Sequence, residues 1–379
     1  MRIAFVTRGV RKYDGVGSIH LEVAREAVRR GNAVTVIATD IDPELQAQRG
    51  VTYVHVPVAR IPTDLLRIFA FSALSWLWLA RHRGAIDLVI GSGFGTFSRV
   101  DINIVQFVFA QWIQSPDVKR GRIDDIRSLY HWIFSRSLVF FENVAFRTSR
   151  VLVACSAGVR DELIGRVGID PNAIVVVPNG VRTATFVRQS PDRERFGLPA
   201  DVPIVLFAGD ITTRRKNLDV IFDALVETPG LHLAIAAGIN DDNKYPPLAR
   251  TLGIADRVHF VGMCRDMPAL MSSVDFFALF SHYEPFGLVV IEAMSCELPA
   301  VTSRNVGASS VMTPESGYIV DAPATASAVA AAFRALVDDP ADRARRGREA
   351  RAVAERNTVE QMTAAYMREL EALDRKSVV

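Results

Sequence analysis

Cysteine is scarce in this chain: there are three in 379 residues, at positions 155, 264 and 296. None sits in a CxxC spacing or a histidine-rich neighbourhood, which argues against a structural zinc site; an odd, sparse set fits a reducing compartment. Long apolar runs are also missing. The most hydrophobic stretch, residues 65–80, contains Arg67 and falls short of the roughly 20 apolar residues a membrane span needs. The opening Met1-Arg2-Ile3-Ala4-Phe5-Val6-Thr7 is too short and lacks a small-residue cleavage site, so it reads as a first strand and not as a signal peptide. A cytoplasmic protein is the expectation. Low-complexity tracts and short repeats are absent, and so is any strong net charge, which is +2. The distribution is uneven: residues 1–190 hold 24 Lys+Arg against 16 Asp+Glu, and the rest hold 20 against 26. A basic first half suits an anionic acceptor or membrane surface, with plain surface composition as the alternative. No nucleic-acid partner is expected.

What is present is an ordinary globular mixture, 49% hydrophobic and 23% charged, in a length that suits two domains of about 100–200 residues each. Short β-branched runs alternate with helical patterns. Strands are expected at 3–6, 33–38, 86–90, 102–107, 151–154 and 174–177, with a first helix over 18–30. Residues 181–200, with Pro191 and Pro199, read as an interdomain connection. The pattern then restarts, with strands at 204–208, 231–236, 258–261, 276–280 and 300–302 and helices at 218–226, 266–273 and 288–294. The alanine-rich 322–355 is helical by propensity and interrupted at Asp338-Asp339-Pro340. Near-continuous Val/Ile strands separated by helices mean parallel sheets covered on both faces. The fold class is therefore α/β, with two doubly wound Rossmann-like domains and a site beyond the carboxyl ends of their strands, in the cleft where they face.

The chemistry concentrates at Glu284-Pro285-Phe286-Gly287-Leu288, which follows a buried strand and opens a helix carrying Glu292 one to two turns in. The first amides of a helix have no intrahelical partner, and its dipole favours an anion there. A diphosphate fits that position, with Glu284 and Glu292 able to accept hydrogen bonds from sugar and ribose hydroxyls on either side. On spacing alone, Glu292 as a solvated helix residue and Glu284 as a capping carboxylate remain open. A second candidate is Gly209, followed by the cluster Arg214-Arg215-Lys216, where Arg215 and Lys216 could neutralise a leaving diphosphate; a basic surface run is its plainer reading. A third is Tyr13-Asp14-Gly15-Val16-Gly17-Ser18, which opens the first helix but lacks the third glycine of a dinucleotide fingerprint.

The run Glu284-Pro285-Phe286-Gly287-Leu288, continued by Glu292-Ala293-Met294, resembles the Glu-x7-Glu motif of the retaining GT-B glycosyltransferases of family 4 (glycosyl transferases group 1). The resemblance implies Glu284, Arg215 and Lys216 as the catalytic set. It assigns Glu292 to the ribose, the amides of Phe286, Gly287 and Leu288 to sugar and phosphates, and Gly209, Gly15 and Gly17 to the diphosphate. Met263 and Cys264 would meet the base, although a plain β–α loop is the other reading there. Val177-Pro178-Asn179-Gly180-Val181 matches the family at the domain connection, with Arg182 in place of Asp. Of a Gly-Gly pair only Gly307 is kept. The implied domains are 1–182 on the acceptor side and 183–357 for the donor, with 358–379 as a helix crossing back.

The chain departs from the family in three further places. Asp210 stands where an Arg is expected, Asn217 where a second Gly is, and Gln106 where many members carry a His near the acceptor. The implied reaction moves a sugar from a nucleoside diphosphate to a hydroxyl of a glycan or lipid-linked glycan with retention, as in polysaccharide biosynthesis. It needs no cofactor and no metal. Asp40-Ile41-Asp42 looks like a metal-binding Asp-x-Asp, but it sits outside the donor half and reads as an incidental turn. Residues 65–80 with Trp76 and Trp78, Arg81-His82-Arg83 and the basic run 118–122 suit peripheral contact with the inner face of a membrane; a helix packed between sheet and solvent is the alternative. A GT-B-fold sugar-nucleotide epimerase and a non-catalytic nucleotide-sugar-binding partner are the rival functions.

Overall fold

A computed structural model of the chain describes residues 1–12, 15–115, 118, 126–238, 240 and 243–377. It divides into two compact units: Met1–Asn179 with Val359–Val379, and Gly180–Thr358.

The sheet of the first unit has seven strands, all parallel: β1 (Arg2–Val6), β2 (Ala33–Ala38), β3 (Val51–His55), β4 (Leu88–Ser92), β5 (Ile102–Val105), β6 (Val151–Ala154) and β7 (Ile174–Val176). Their spatial order is β3-β2-β1-β4-β5-β6-β7. β5 is buried along its whole length, as burial on both faces requires. β3 was not expected as a strand. It is an edge strand whose Val51-Thr52-Tyr53-Val54-His55 is only partly covered, so no continuous apolar run marks it. The principal helices here are α1 (Gly15–Arg29), α2 (Asp64–His82) and α3 (Ile126–Thr148). α1 turns Ile19, Leu21, Val23, Ala24 and Ala27 inward. Tyr13, Asp14 and residues 119–122 of the basic run lie outside the described residues.

The second unit holds six parallel strands: β8 (Ile204–Ala208), β9 (His232–Ala236), β10 (Val258–Phe260), β11 (Phe276–Leu279), β12 (Ala300–Ser303) and β13 (Gly317–Val320), in the order β10-β9-β8-β11-β12-β13. β8 is buried throughout and sets the register on both sides, with Ile204 opposite His232 and Val205 opposite Phe276. β13, at one edge of this sheet, was not expected either: its apolar run Tyr318-Ile319-Val320 is short and only partly covered. Residues 181–200 are not a free connection. Gln189 and Asp192 donate backbone N–H bonds to the hydroxyls of Ser272 and Ser273, both at 2.9 Å, and Arg193 pairs with Asp275 at 2.8 Å.

Helices α4 (Leu218–Val226) and α5 (Leu288–Ser295) follow β8 and β11. α6 (Ala326–Asp338) and α7 (Pro340–Glu355) split where the sequence has Asp338-Asp339-Pro340. Asp339 caps α7 through the Asp342 amide at 2.9 Å, with Pro340 in the first turn, where a missing N–H costs nothing. The last helix, α8 (Val359–Ser377), belongs to the first unit, where its Glu371 pairs with Arg30 of the segment after α1 at 2.9 Å.

In the second sheet the strand order reverses between β8 and β11. Loops leaving adjacent strands at such a point diverge and leave a crevice at their carboxyl ends. That topology brings residues 209–217 and 280–287 together.

Candidate functional site

Glu284 lies in the loop after β11. Its Oε2 accepts hydrogen bonds from three side chains: Arg215 Nη1 at 3.1 Å, Lys216 Nζ, and Ser281 Oγ at 3.2 Å. All three carboxylate partners come from the two loops at the switch point. Lys216 is buried and Arg215 partly so, which strengthens their attraction to the carboxylate relative to water. Arg215 Nη1 also donates to the Tyr283 carbonyl at 3.2 Å, and the His282 amide donates to the Arg215 carbonyl at 2.8 Å. Two loops that share both backbone and side-chain bonds hold their charges in fixed places. The capping role left open for Glu284 is not realised, because the residue that caps α5 is Gly287 and no side chain bonds the helix amides there.

Two glycines make this geometry sterically feasible. Gly287 has φ +90°, in the left-handed region, and a Cβ there would come within 3.2 Å of Glu284 Cγ and 3.1 Å of Val306 Cγ1. Gly307 is tighter still: a Cβ would stand 1.8 Å from the Pro285 carbonyl oxygen. Its own amide donates to the Glu284 carbonyl at 2.9 Å, and the Ala308 amide to the Phe286 carbonyl at 2.7 Å. Gly307 thus clamps the 284–287 loop from behind. Phe286 is buried, and Leu288 opens α5.

After β8, Gly209 takes φ +149°, and a Cβ would meet Lys216 Cε at 3.1 Å, so the glycine leaves room for the lysine stem. Asp210 does not face the ion cluster as a cation would. Its Oδ1 accepts from the Thr212 amide at 2.8 Å and hydroxyl at 2.7 Å, shaping the loop. Asn217 adopts φ +47°, a conformation that asparagine tolerates better than most residues, and so serves in place of a glycine. Arg214 is exposed.

Glu292 sits on α5, partly covered, and burial pushes its carboxyl up to about 7. Met263 and Cys264 follow β10. The Met263 side chain is largely exposed beside Gly238, and burial raises the Cys264 thiol.

Gly15, Gly17 and Gln106 belong to the other unit. Gly15 is exposed at the start of α1, with open space where a Cβ would be, and Gly17 is buried. Gln106 forms a reciprocal amide pair with the buried Asn179, at 2.9 Å and 2.8 Å. That pair fixes the Gln106 side chain and leaves each amide one donor and one acceptor site. Asp42 of the Asp-x-Asp run caps a short helix through the Leu45 amide at 3.1 Å and pairs with Arg25, while Asp40 pairs with Arg11. Among the described residues no group of three or more His, Cys, Asp or Glu is arranged to hold a metal ion.

Sequence reasoning missed Ser281 and Glu142. Ser281 had a local signal, standing three residues before Glu284. Glu142 is a lone acid in the apolar run Leu138-Val139-Phe140-Phe141-Glu142. It is buried, accepts the Phe109 amide at 2.7 Å, and is pushed by burial up to about 8.

Two domain models match the chain: "Glycosyltransferase Family 4" over residues 13–185 and "Glycosyl transferases group 1" over residues 188–353. A D-inositol 3-phosphate glycosyltransferase of Kineococcus radiotolerans is 31% identical, over 88% of this chain and 84% of that one. Among solved structures, sucrose-phosphate synthase from Thermosynechococcus elongatus superposes with a TM-score of 0.81 at 18% identity, covering 98% and 99% of the two chains. Anabaena HepE in complex with UDP-glucose gives 0.70 at 20% identity, covering 98% and 100%. The chain belongs to the GT-B glycosyltransferases of family 4. It is a glycosyltransferase with two parallel-sheet α/β units.

Proposed function

We propose that the protein transfers a sugar from a nucleoside-diphosphate sugar to a hydroxyl of a glycan or lipid-linked glycan, with retention of anomeric configuration and without a metal ion. The observation that carries this reading is the Glu284 carboxylate held by Arg215 and Lys216 beside the start of α5. Two cations at a helix N-terminus suit a diphosphate leaving group, and stabilising that charge lowers the barrier to glycosyl departure. Arg215 and Lys216 meet the diphosphate, with Gly209 and the amides of Phe286, Gly287 and Leu288 close to it. Glu284 accepts from sugar hydroxyls near the reacting carbon, and Glu292 from the ribose. Met263 and Cys264 border the base. Gly15 and Gly17 offer backbone to the diphosphate, and Gln106 offers its spare amide groups to the acceptor.

In this reading the bond from the anomeric carbon to the phosphate oxygen breaks as the acceptor oxygen bonds to the same face. The departing phosphate oxygen takes the acceptor proton. No separate general base is required, which agrees with Gln106, a residue that cannot accept a proton at neutral pH, where a histidine is common. The reading includes a station at a membrane surface, where a lipid-linked acceptor would be met.

The HepE complex makes UDP-glucose the first donor to try. Turnover with UDP-, GDP-, ADP- and TDP-sugars, with product stereochemistry read by NMR, tests the proposal. An inverted product would remove the front-face mechanism. Release of free nucleotide with no transfer would favour an epimerase-like enzyme, and binding without any turnover a partner subunit.

A further inference from the structure

The outward faces of α2 and α3 are apolar, whereas an ordinary surface helix presents a polar face to solvent. On α2, Leu66, Leu74, Trp76 and Leu77 are exposed, while Ser72 and Ser75 are buried, with Ser75 Oγ donating to the Gly95 carbonyl at 2.9 Å. On α3, Leu129, the adjacent pair Trp132 and Ile133, Phe140 and Val144 are exposed, with steps of three to four residues between neighbouring positions except for the seven from Ile133 to Phe140. Arg136 fills that step, its guanidinium 5.3 Å from the centroid of the Trp132 ring. The only acid on this helix among residues 129–148 is Glu142, and it points inward.

The two faces are joined. The Tyr130 hydroxyl accepts from the Leu65 amide at 3.2 Å, Phe69 packs on Phe141 with centroids 4.8 Å apart, and Phe97, itself exposed, packs on Phe141 from the loop after β4. Of the fifteen large apolar side chains left exposed among the described residues, ten lie on this surface, so it is a patch and not scatter. Arg81 and Arg83 edge it at the end of α2, and among the described residues no carboxylate pairs with them or with Arg136. The one acid on α2, Asp64, is neutralised by Arg67 at 3.2 Å.

We infer that this α2–α3 surface docks the protein onto an anionic lipid bilayer, with Trp76, Trp132 and Phe140 entering the headgroup–acyl boundary and Arg81, Arg83 and Arg136 meeting lipid phosphates. Aromatic rings with polar edges suit that depth, and arginines beside them suit phosphate. A neutral protein partner would account for the apolar face but not for a rim that, among the described residues, carries cations and no exposed free carboxylate. No described helix is long and apolar enough to cross a membrane, and an apolar face on one side of each helix lies flat in an interface. The inference deepens the membrane station named above and identifies its surface and its lipid class. It does not depend on the donor site.

The test uses the full chain and sedimenting vesicles of phosphatidylcholine with or without phosphatidylglycerol. The protein should sediment with the anionic vesicles at low salt and release as salt rises, with a blue shift in tryptophan emission. Trp132→Ser with Phe140→Ser should lower partitioning by about tenfold per side chain. Arg81→Gln with Arg83→Gln and Arg136→Gln should lower it by about fivefold per arginine on anionic vesicles only. Thermal shift with a nucleoside diphosphate should be unchanged in both variants, which shows that they fold. Glu284→Gln should bind vesicles like the parent, so failure of the transfer reading is seen separately. A parent chain that stays in the supernatant, or an apolar variant that sediments like the parent, overturns the inference. So does a dimer in sedimentation equilibrium that Trp132→Ser with Phe140→Ser dissolves, since the face would then belong to a second copy.

Discussion

The two units share one plan, a parallel sheet whose strand order reverses near its middle, yet they treat a carboxyl at the strand ends in opposite ways. In the Gly180–Thr358 unit, Glu284 is held by Arg215, Lys216 and Ser281, so its charge is compensated where it stands. In the other unit, Glu142 is buried with the Phe109 amide as its hydrogen-bond donor, and it keeps its proton up to about pH 8. The plan fixes where the loops diverge, and the residues on those loops decide whether the place holds a charge or a proton. The surfaces differ in the same sense. Among its described residues the second unit leaves only Val187, Val226 and Met263 exposed as large apolar side chains, whereas the first presents the α2–α3 patch.

The sharpest way to break this comparison is Glu284→Gln. Transfer should fall by roughly 10²–10³-fold, measured in single turnovers, while nucleoside diphosphate still binds, because Arg215 and Lys216 are released to meet it. Equal loss of transfer and of nucleotide binding would mean that Glu284 only shapes the loop.

Gly307→Ala comes next. The new methyl group would be forced against the Pro285 carbonyl, so a loss of about 1–3 kcal/mol in chemical denaturation is expected, with weaker nucleotide binding. Unchanged stability would show that the clamp on the 284–287 loop can yield.

Glu292 sharpens the comparison through pH. With its carboxyl near 7, donor binding should strengthen by up to about tenfold between roughly pH 6 and pH 8, as the ionised form becomes the better acceptor for ribose hydroxyls. Glu292→Gln should flatten that profile and weaken nucleotide binding by about tenfold, read by calorimetry.

Glu142 should show the corresponding effect in stability. Its folded value lies above the ordinary 4.5, so the folded state binds the extra proton, and the stability this supplies is lost as pH rises from 4.5 through about 8. Glu142→Gln keeps an acceptor for the Phe109 amide and removes the charge. At about pH 9 the variant should exceed the parent by about 1–3 kcal/mol in denaturant unfolding. Parallel pH profiles for the two proteins would show that Glu142 does not titrate in this range.

Much of the fold was legible because buried parallel strands write continuous apolar runs. Of the strands that escaped, Val51–His55 lies at a sheet edge with polar residues interrupting its run, and Gly317–Val320 offers only the short run Tyr318-Ile319-Val320. Gly9–Val10 and Asp40–Ile41 are two-residue strands that pair with each other. Residues 181–200 looked like a linker from their prolines and charges, but Gln189, Asp192 and Arg193 find partners on Ser272, Ser273 and Asp275, which no local pattern announces. At the site, Glu284, Gly287 and Leu288 were legible from a strand–turn–helix spacing. The contact of Glu284 with Lys216, 68 residues earlier, was not. Gln106 could be placed at a strand end, while its partner Asn179 is 73 residues away.

By itself, the sequence determined the kinds of residue available at each strand end and the period that makes those strands parallel and buried, because both are local properties of the chain. Tertiary structure decided which loops meet. The strand reversal between β8 and β11 sets Lys216 and Arg215 on Glu284, and Gly307 holds the loop because a hydrogen is all that fits against Pro285. It also decided that α2 and α3 leave apolar side chains outward as well as inward. A helical period reports that a helix has two faces, and only its packing neighbours select which of them meets the core.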